Sequence, residues 1–89
     1  MAKPEKHLIC GIHITDRVVH AQHVQHVLTE YGAYIKTRLG LHEVAGECSS
    51  PNGIILLEFV PQEDKFAELT AKLRALAGVE VQQIIFDHP

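Results

Sequence analysis

The sequence has no tryptophan and only five other aromatic residues, two Tyr and three Phe, although 46% of it is apolar. A core drawn from this stock must be built from Val, Ile and Leu, which suits a sheet covered by helices. Positive charge is also scarce: eight Lys and Arg stand against eleven Asp and Glu, for a net charge of −3. A free-standing nucleic-acid binder shows a basic patch or stripe, and this sequence has none, so no direct nucleic-acid partner is expected. The two cysteines, Cys10 and Cys48, lack CxxC spacing. One isolated pair makes no disulfide scaffold, and a reducing, cytoplasmic compartment is expected. No apolar run approaches the ~18 residues of a membrane span, and Met1 to Lys6 is polar, so the expectation is a soluble chain without a membrane partner.

What is present fits one domain over residues 1–89. A chain this short buries little more than ~60% of its unfolded surface, so its core is modest. Its high apolar fraction implies that some apolar surface is covered by another subunit.

His7 to Ile14 alternates as a strand, with Leu8, Cys10, Ile12 and Ile14 on one face and His7, Ile9, Gly11 and His13 on the other. Thr15 and Asp16 offer N-cap oxygens to a helix whose apolar stripe is Val24, Val27, Leu28 and Tyr31, with Ala21 alongside. Gly32 stands where a left-handed C-cap is wanted. Ala33 to Leu41 reads as a second strand, placing Ile35, Leu39 and Leu41 on one face and Tyr34, Lys36, Arg38 and Gly40 on the other. His42 to Gly53 is polar and rich in Gly, Ser, Pro and Asn, which reads as a loop or an irregular hairpin connection.

Ile54 to Val60 is a third strand, apolar on both faces apart from Glu58. Pro61 ends it and opens a second helix carrying Phe66, Leu69, Leu73 and Leu76 at helical spacing. Glu63 and Asp64 sit at the positive end of that helix, and Lys72 and Arg74 toward the other. Gly78 closes it, and Val79 to Phe86 is the last strand. The order is βαββαβ, an α+β, ferredoxin-like plan: an antiparallel four-stranded sheet with two helices on one face. Its first and third strands are expected at the centre. Leu8, Ile12, Ile35, Leu39, Leu57 and Phe59 should pack on Val24, Leu28, Phe66, Leu69 and Leu73.

Nothing in the sequence assembles a catalytic site. There is no HExxH, P-loop, GxGxxG or nucleophile-elbow pattern, and the chain reads as a regulatory or ligand-binding module. Seven histidines are its most unusual feature. At 100° per residue, His23, His26 and Glu30 share one arc of the first helix, a set that suits zinc or nickel, or simply a solvated polar face. His42 and Cys48 offer an imidazole and a thiolate to a divalent transition metal, or are loop residues in water. Lys36 and Arg38 beside Gly40 form a cationic pair suited to a small anionic ligand, or a charged edge that resists sheet-to-sheet pairing. Alternation also sends Ile54, Leu56 and Val60, joined by Ile9, to the face away from the helices. That patch calls for self-association as a dimer or higher, with Lys36, Arg38 and Glu58 around it; a protein partner is the alternative cover.

The run Leu28-Thr29-Glu30-Tyr31-Gly32-Ala33-Tyr34-Ile35, followed by Thr37-Arg38-Leu39-Gly40, resembles the iron-only hydrogenase system regulators. These are small ACT-like proteins whose genes often lie near hydrogenase maturation genes. Gly11-Ile12-His13-Ile14-Thr15-Asp16-Arg17 and Leu73-Arg74-Ala75-Leu76-Ala77-Gly78-Val79-Glu80-Val81 resemble them too. The resemblance implies a ferredoxin-like fold, homo-oligomerisation and a regulatory role, without fixing a ligand. The related C-terminal domain of the nickel-responsive repressor binds nickel through histidines and a cysteine across subunits. His42 and Cys48 match the spacing of one His and the Cys there. Gly40 stands where a further His is expected, and no His lies near Tyr31, so that ligand set is incomplete here. The sequence also holds no counterpart of the repressor's ribbon-helix-helix domain, and direct operator binding is not expected.

Overall fold

The computed structural model describes the backbone of residues 6–15, 17–45 and 48–87, and their side chains except at 17–19, 41–45 and 48–52. Strand β1 spans His7–Ile14, helix α1 Arg17–Glu30, and a 3-10 turn covers Gly32–Tyr34. Strands β2 (Ile35–Ala45) and β3 (Cys48–Phe59), helix α2 (Glu63–Arg74) and strand β4 (Val79–Phe86) complete the order. The sheet runs β2-β3-β1-β4, all pairs antiparallel, so β1 and β3 are central as their apolar content demands. This is the ferredoxin-like arrangement.

Strict alternation on β1 buries Leu8, Cys10, Ile12 and Ile14. Opposite them on β3, Ile55, Leu57 and Phe59 point the same way, toward the helices. From α1 come Val24, Val27, Leu28 and Tyr31; from α2 come Phe66, Leu69 and Leu73, with Leu76 partly covered. A ladder of rings, Tyr31–Tyr34–Phe59–Phe66, crosses the core with neighbouring centroids 5.6–6.3 Å apart. Thr70 is also buried on α2, its hydroxyl donating to the Ala67 carbonyl and accepting from Gln83 Nε2. The acidic start and basic end of α2 match the helix dipole as expected.

One local expectation is resolved and two are corrected. Of the two readings of His42 to Gly53, the irregular hairpin connection holds: Val44 pairs with Ser49 and Ala45 with Cys48, with a bulge between His42 and Val44. Gly32 is not a left-handed cap, because the chain leaves α1 through the 3-10 turn, where the Tyr34 N–H donates to the Tyr31 carbonyl. The positive φ belongs to Gly78, at 73°, in the turn before β4. A Cβ there would sit 2.7 Å from the His20 ring, so the turn requires glycine. Leu39 is not in the core but 52% exposed, and a second bulge explains why. Ile35 faces Phe59, yet Thr37 faces Glu58 and Leu39 faces Leu56, so one extra residue at Lys36 flips the alternation of everything after it. The N-cap residue Asp16 lies outside the described residues.

Candidate functional site

The helices leave one face of the sheet uncovered. On β1 that face carries His7, Ile9, Gly11 and His13, and the register sets them beside Phe86, Ile84, Gln82 and Glu80 of β4. Glu58, Leu56 and Ile54 of β3 lie on their other side, with Thr37 and Leu39 of β2 beyond. Ile54, Leu56, Leu39, Ile84 and Phe86 are all exposed. With Ile9, partly covered in their midst, they form an apolar belt across all four strands. Exposed apolar patches of about 300–600 Å² are the largest an ordinary monomer shows, and are often functional.

Each end of the belt is polar. At one end His7 Nδ1 lies 3.0 Å from Glu58 Oε2, and Lys36 Nζ lies 3.6 Å from the same oxygen. An ionised carboxylate only accepts, so the His7 proton sits on Nδ1. This hydrogen bond, followed by the charge of Lys36, holds the Glu58 carboxyl below its ordinary range. Phe86 packs edge-on against the His7 ring at 6.5 Å. At the other end Gln82 Nε2 donates to Glu80 Oε2 at 3.0 Å, beside His13. Hollows lie between the ends. One, of about 290 Å³, lies over Gly11 and is bounded by Ile12, His13, Ile54, Glu80 and Gln82. Another, of about 190 Å³, lies between Ile9, Thr37, Leu39, Leu56 and Glu58.

The bulge separates the cationic pair: Lys36 reaches Glu58 on the open face, whereas Arg38 is paired with Leu57, whose side chain points to the helices. Gly40, opposite Ile55, has open space where a Cβ would stand. His23 and His26 are exposed on α1, but Glu30 is occupied by Lys72, whose Nζ donates to it at 2.7 Å while lying 5.1 Å above the Tyr31 ring. Among the described residues no three His, Cys, Asp or Glu side chains converge as a metal site. The backbone register sets Cys48 opposite Ala45, three residues along β2 from His42 with the bulge between them, and the side chains of His42 and Cys48 lie outside the described residues. Val60, expected on the open face, is instead partly buried against the core, because β3 ends at Phe59 and the Val60 N–H turns to the Tyr34 carbonyl at 2.8 Å. The sequence does not mark Ile84 and Phe86, because Ile84-Ile85-Phe86 is apolar at every position and alternation cannot sort it.

Fold and face together define a small ferredoxin-like domain whose sheet, among the described residues, lacks a cover on one side. The chain belongs to the TM1266-like family, described as "Iron-only hydrogenase system regulator, putative", which matches it over residues 6–83. The structure of TM1266 from Thermotoga maritima, an uncharacterized protein, is similar at a TM-score of 0.78 and 27% identity, covering 93% of this chain and 100% of that one. More distant likenesses are of fold alone. CPII, a nitrogen regulatory PII-like protein from Thiomonas intermedia bound to ADP, AMP and bicarbonate, has a TM-score of 0.50 at 16% identity, covering 98% and 99% of the two chains. A dimeric ferredoxin-like protein from an uncultured marine organism has a TM-score of 0.50 at 9% identity, covering 94% of each. No curated protein matches the chain.

Proposed function

We propose that this chain is a homo-oligomeric, ACT-like regulatory module of the cytoplasm, linked to iron-only hydrogenase maturation, that binds a small ligand or protein partner and catalyses no reaction. The observation that carries the reading is the open apolar face. Fully burying an aliphatic side chain is worth roughly 1.5–3 kcal/mol, so each half-exposed one leaves about 1 kcal/mol to be gained. A belt of Leu39, Ile54, Leu56, Ile84 and Phe86 is therefore a driving force for association. The family description supports the regulatory role, and the dimeric relative in fold supports self-association. CPII, which binds nucleotides on the same fold, supports a small ligand. Lys36 is the cation on the open face that an anionic ligand would meet there, with Arg38 and Gly40 on the other side of the β2 edge.

Light scattering at micromolar concentration tests the association. The mass should be at least twice the 9.9 kDa of the chain, and Leu56→Glu should shift it toward monomer. A monomeric wild type would remove the basis of the reading.

A further inference from the structure

Gly11 stands in the middle of β1, a central strand, where glycine loses more backbone entropy on folding than any other residue and contributes no packing. Nothing among the described residues requires it. It is not among the residues with positive φ, and an added Cβ would meet one atom within 4 Å, Leu56 Cδ2, at the ordinary contact distance of 3.4 Å. The consequence of its missing side chain lies above the sheet: the hollow of about 290 Å³ on the open face. Aliphatic side chains stand around and beyond that hollow, Leu39 and Ile84 each 52% exposed. One surface therefore carries both a hole and the knobs to fill one, the self-complementarity that a two-fold interface between identical chains needs.

We infer that the hollow over Gly11 is the socket of a face-to-face homodimer, filled by an aliphatic side chain from the open face of a second copy. The inference rests on the self-association proposed above and adds where the two sheets close on each other. The size of the face fits this occupant. Four strands ~4.8 Å apart and eight residues long at ~3.3 Å each cover roughly 500 Å². Two such faces stacked remove on the order of 1,000 Å² from water, the size at which a specific interface begins. A flat aliphatic face could not approach closely at its centre if a side chain stood at position 11. The glycine brings the second sheet down onto β1 at the expense of strand stability.

That trade gives the test its form, because stability and association should move in opposite directions. Sedimentation of Gly11→Val and Gly11→Ala is compared with wild type and Leu56→Glu, and urea unfolding is measured at concentrations dilute enough for monomer. Gly11→Val should weaken dimerisation at least tenfold while its monomer unfolds at an equal or higher urea midpoint, with Gly11→Ala intermediate in both. Should Gly11→Val not fold, Gly11→Ala carries the same comparison. A Gly11→Val protein that dimerises like wild type, while Leu56→Glu does not, overturns the socket and leaves self-association standing. A monomer destabilised by Gly11→Ala also overturns it, since glycine would then serve the fold. Wild type that is monomeric at micromolar concentration overturns both readings.

Discussion

The His7 imidazole and the Glu58 carboxylate meet across the open face of the sheet, Nδ1 to Oε2 at 3.0 Å, although 51 residues separate them. Ile9, not His7, is the direct cross-strand partner of Glu58, so the contact is a diagonal one, made on the single face that β1 and β3 leave uncovered. Lys36, set beside it by the bulge in β2, completes a charged cluster at one end of an otherwise apolar belt.

This cluster sets an acid limit. The Glu58 carboxyl is held below its ordinary 4.5, first by the hydrogen bond from His7 and next by the charge of Lys36. The folded state therefore binds fewer protons than the unfolded chain, and the stabilisation is present above the ordinary carboxyl range and lost as pH falls through the lowered value. The urea midpoint should fall below about pH 4.5, and Glu58→Gln should flatten part of that fall while lowering the midpoint slightly at neutral pH. An unchanged acid profile in Glu58→Gln would show that the contact contributes nothing.

Core and surface leucines should separate sharply. Leu69 is fully buried between α2 and the sheet, so Leu69→Ala should cost about 2–5 kcal/mol in urea unfolding, the lost transfer energy plus the cavity. Ile85 is 48% exposed at the outer edge of β4, and Ile85→Ala should stay within about 0.5 kcal/mol. Similar losses at both positions would contradict the burial pattern.

The same burial pattern explains what the sequence could disclose. Period-two alternation in His7 to Ile14 and period-3.6 spacing in the two helices report the core directly, because one face of each element must avoid water. The central placement of β1 and β3 follows from their apolar content. A bulge adds a residue without a composition of its own, so Lys36 and Arg38 read as one face when the backbone divides them. The Gly-, Ser- and Asn-rich stretch around Cys48 has turn composition yet pairs as a hairpin, since ladder hydrogen bonds are made by the backbone whatever the side chain. Of the candidate site, Ile54, Leu56 and Ile9 were legible by alternation. Leu39 was hidden by the bulge, and Ile84 and Phe86 by an unbroken apolar run.

Metal retained by tag-free protein should rank by ligand chemistry. Glu30, the third member of the helix set, is held by Lys72, and that pairing lifts the Lys72 ammonium above its ordinary range. His23 and His26 are then two open imidazoles, whereas Cys48 brings a thiolate that suits zinc and nickel. After loading with zinc and dialysis, Cys48→Ser should retain markedly less metal than a His23→Ala/His26→Ala double variant. Elemental analysis showing the reverse order would move the metal affinity to α1.

Cys10 is fully buried and unpaired on the helix-facing side of β1. Burial in apolar surroundings disfavours the thiolate and pushes the thiol up from 9.0 to about 11, against a smaller opposing pull from the charge of Arg74. Two consequences follow from that one cause. The thiolate is the nucleophile, so in a Cys48→Ser background the native protein should not react with iodoacetamide at neutral pH, and one thiol should become reactive only on unfolding. The folded chain also keeps a proton that the unfolded chain releases between pH 9 and 11. The stabilisation is complete below the unfolded value and declines as pH rises through the folded one, so the urea midpoint should drop across that interval. Cys10→Ala should lose this slope while lowering the midpoint at neutral pH through the small cavity it leaves. Rapid labelling of native Cys10, or an alkaline slope that survives Cys10→Ala, would mean that the thiol is not sealed in the core and that β1 opens to solvent at its centre.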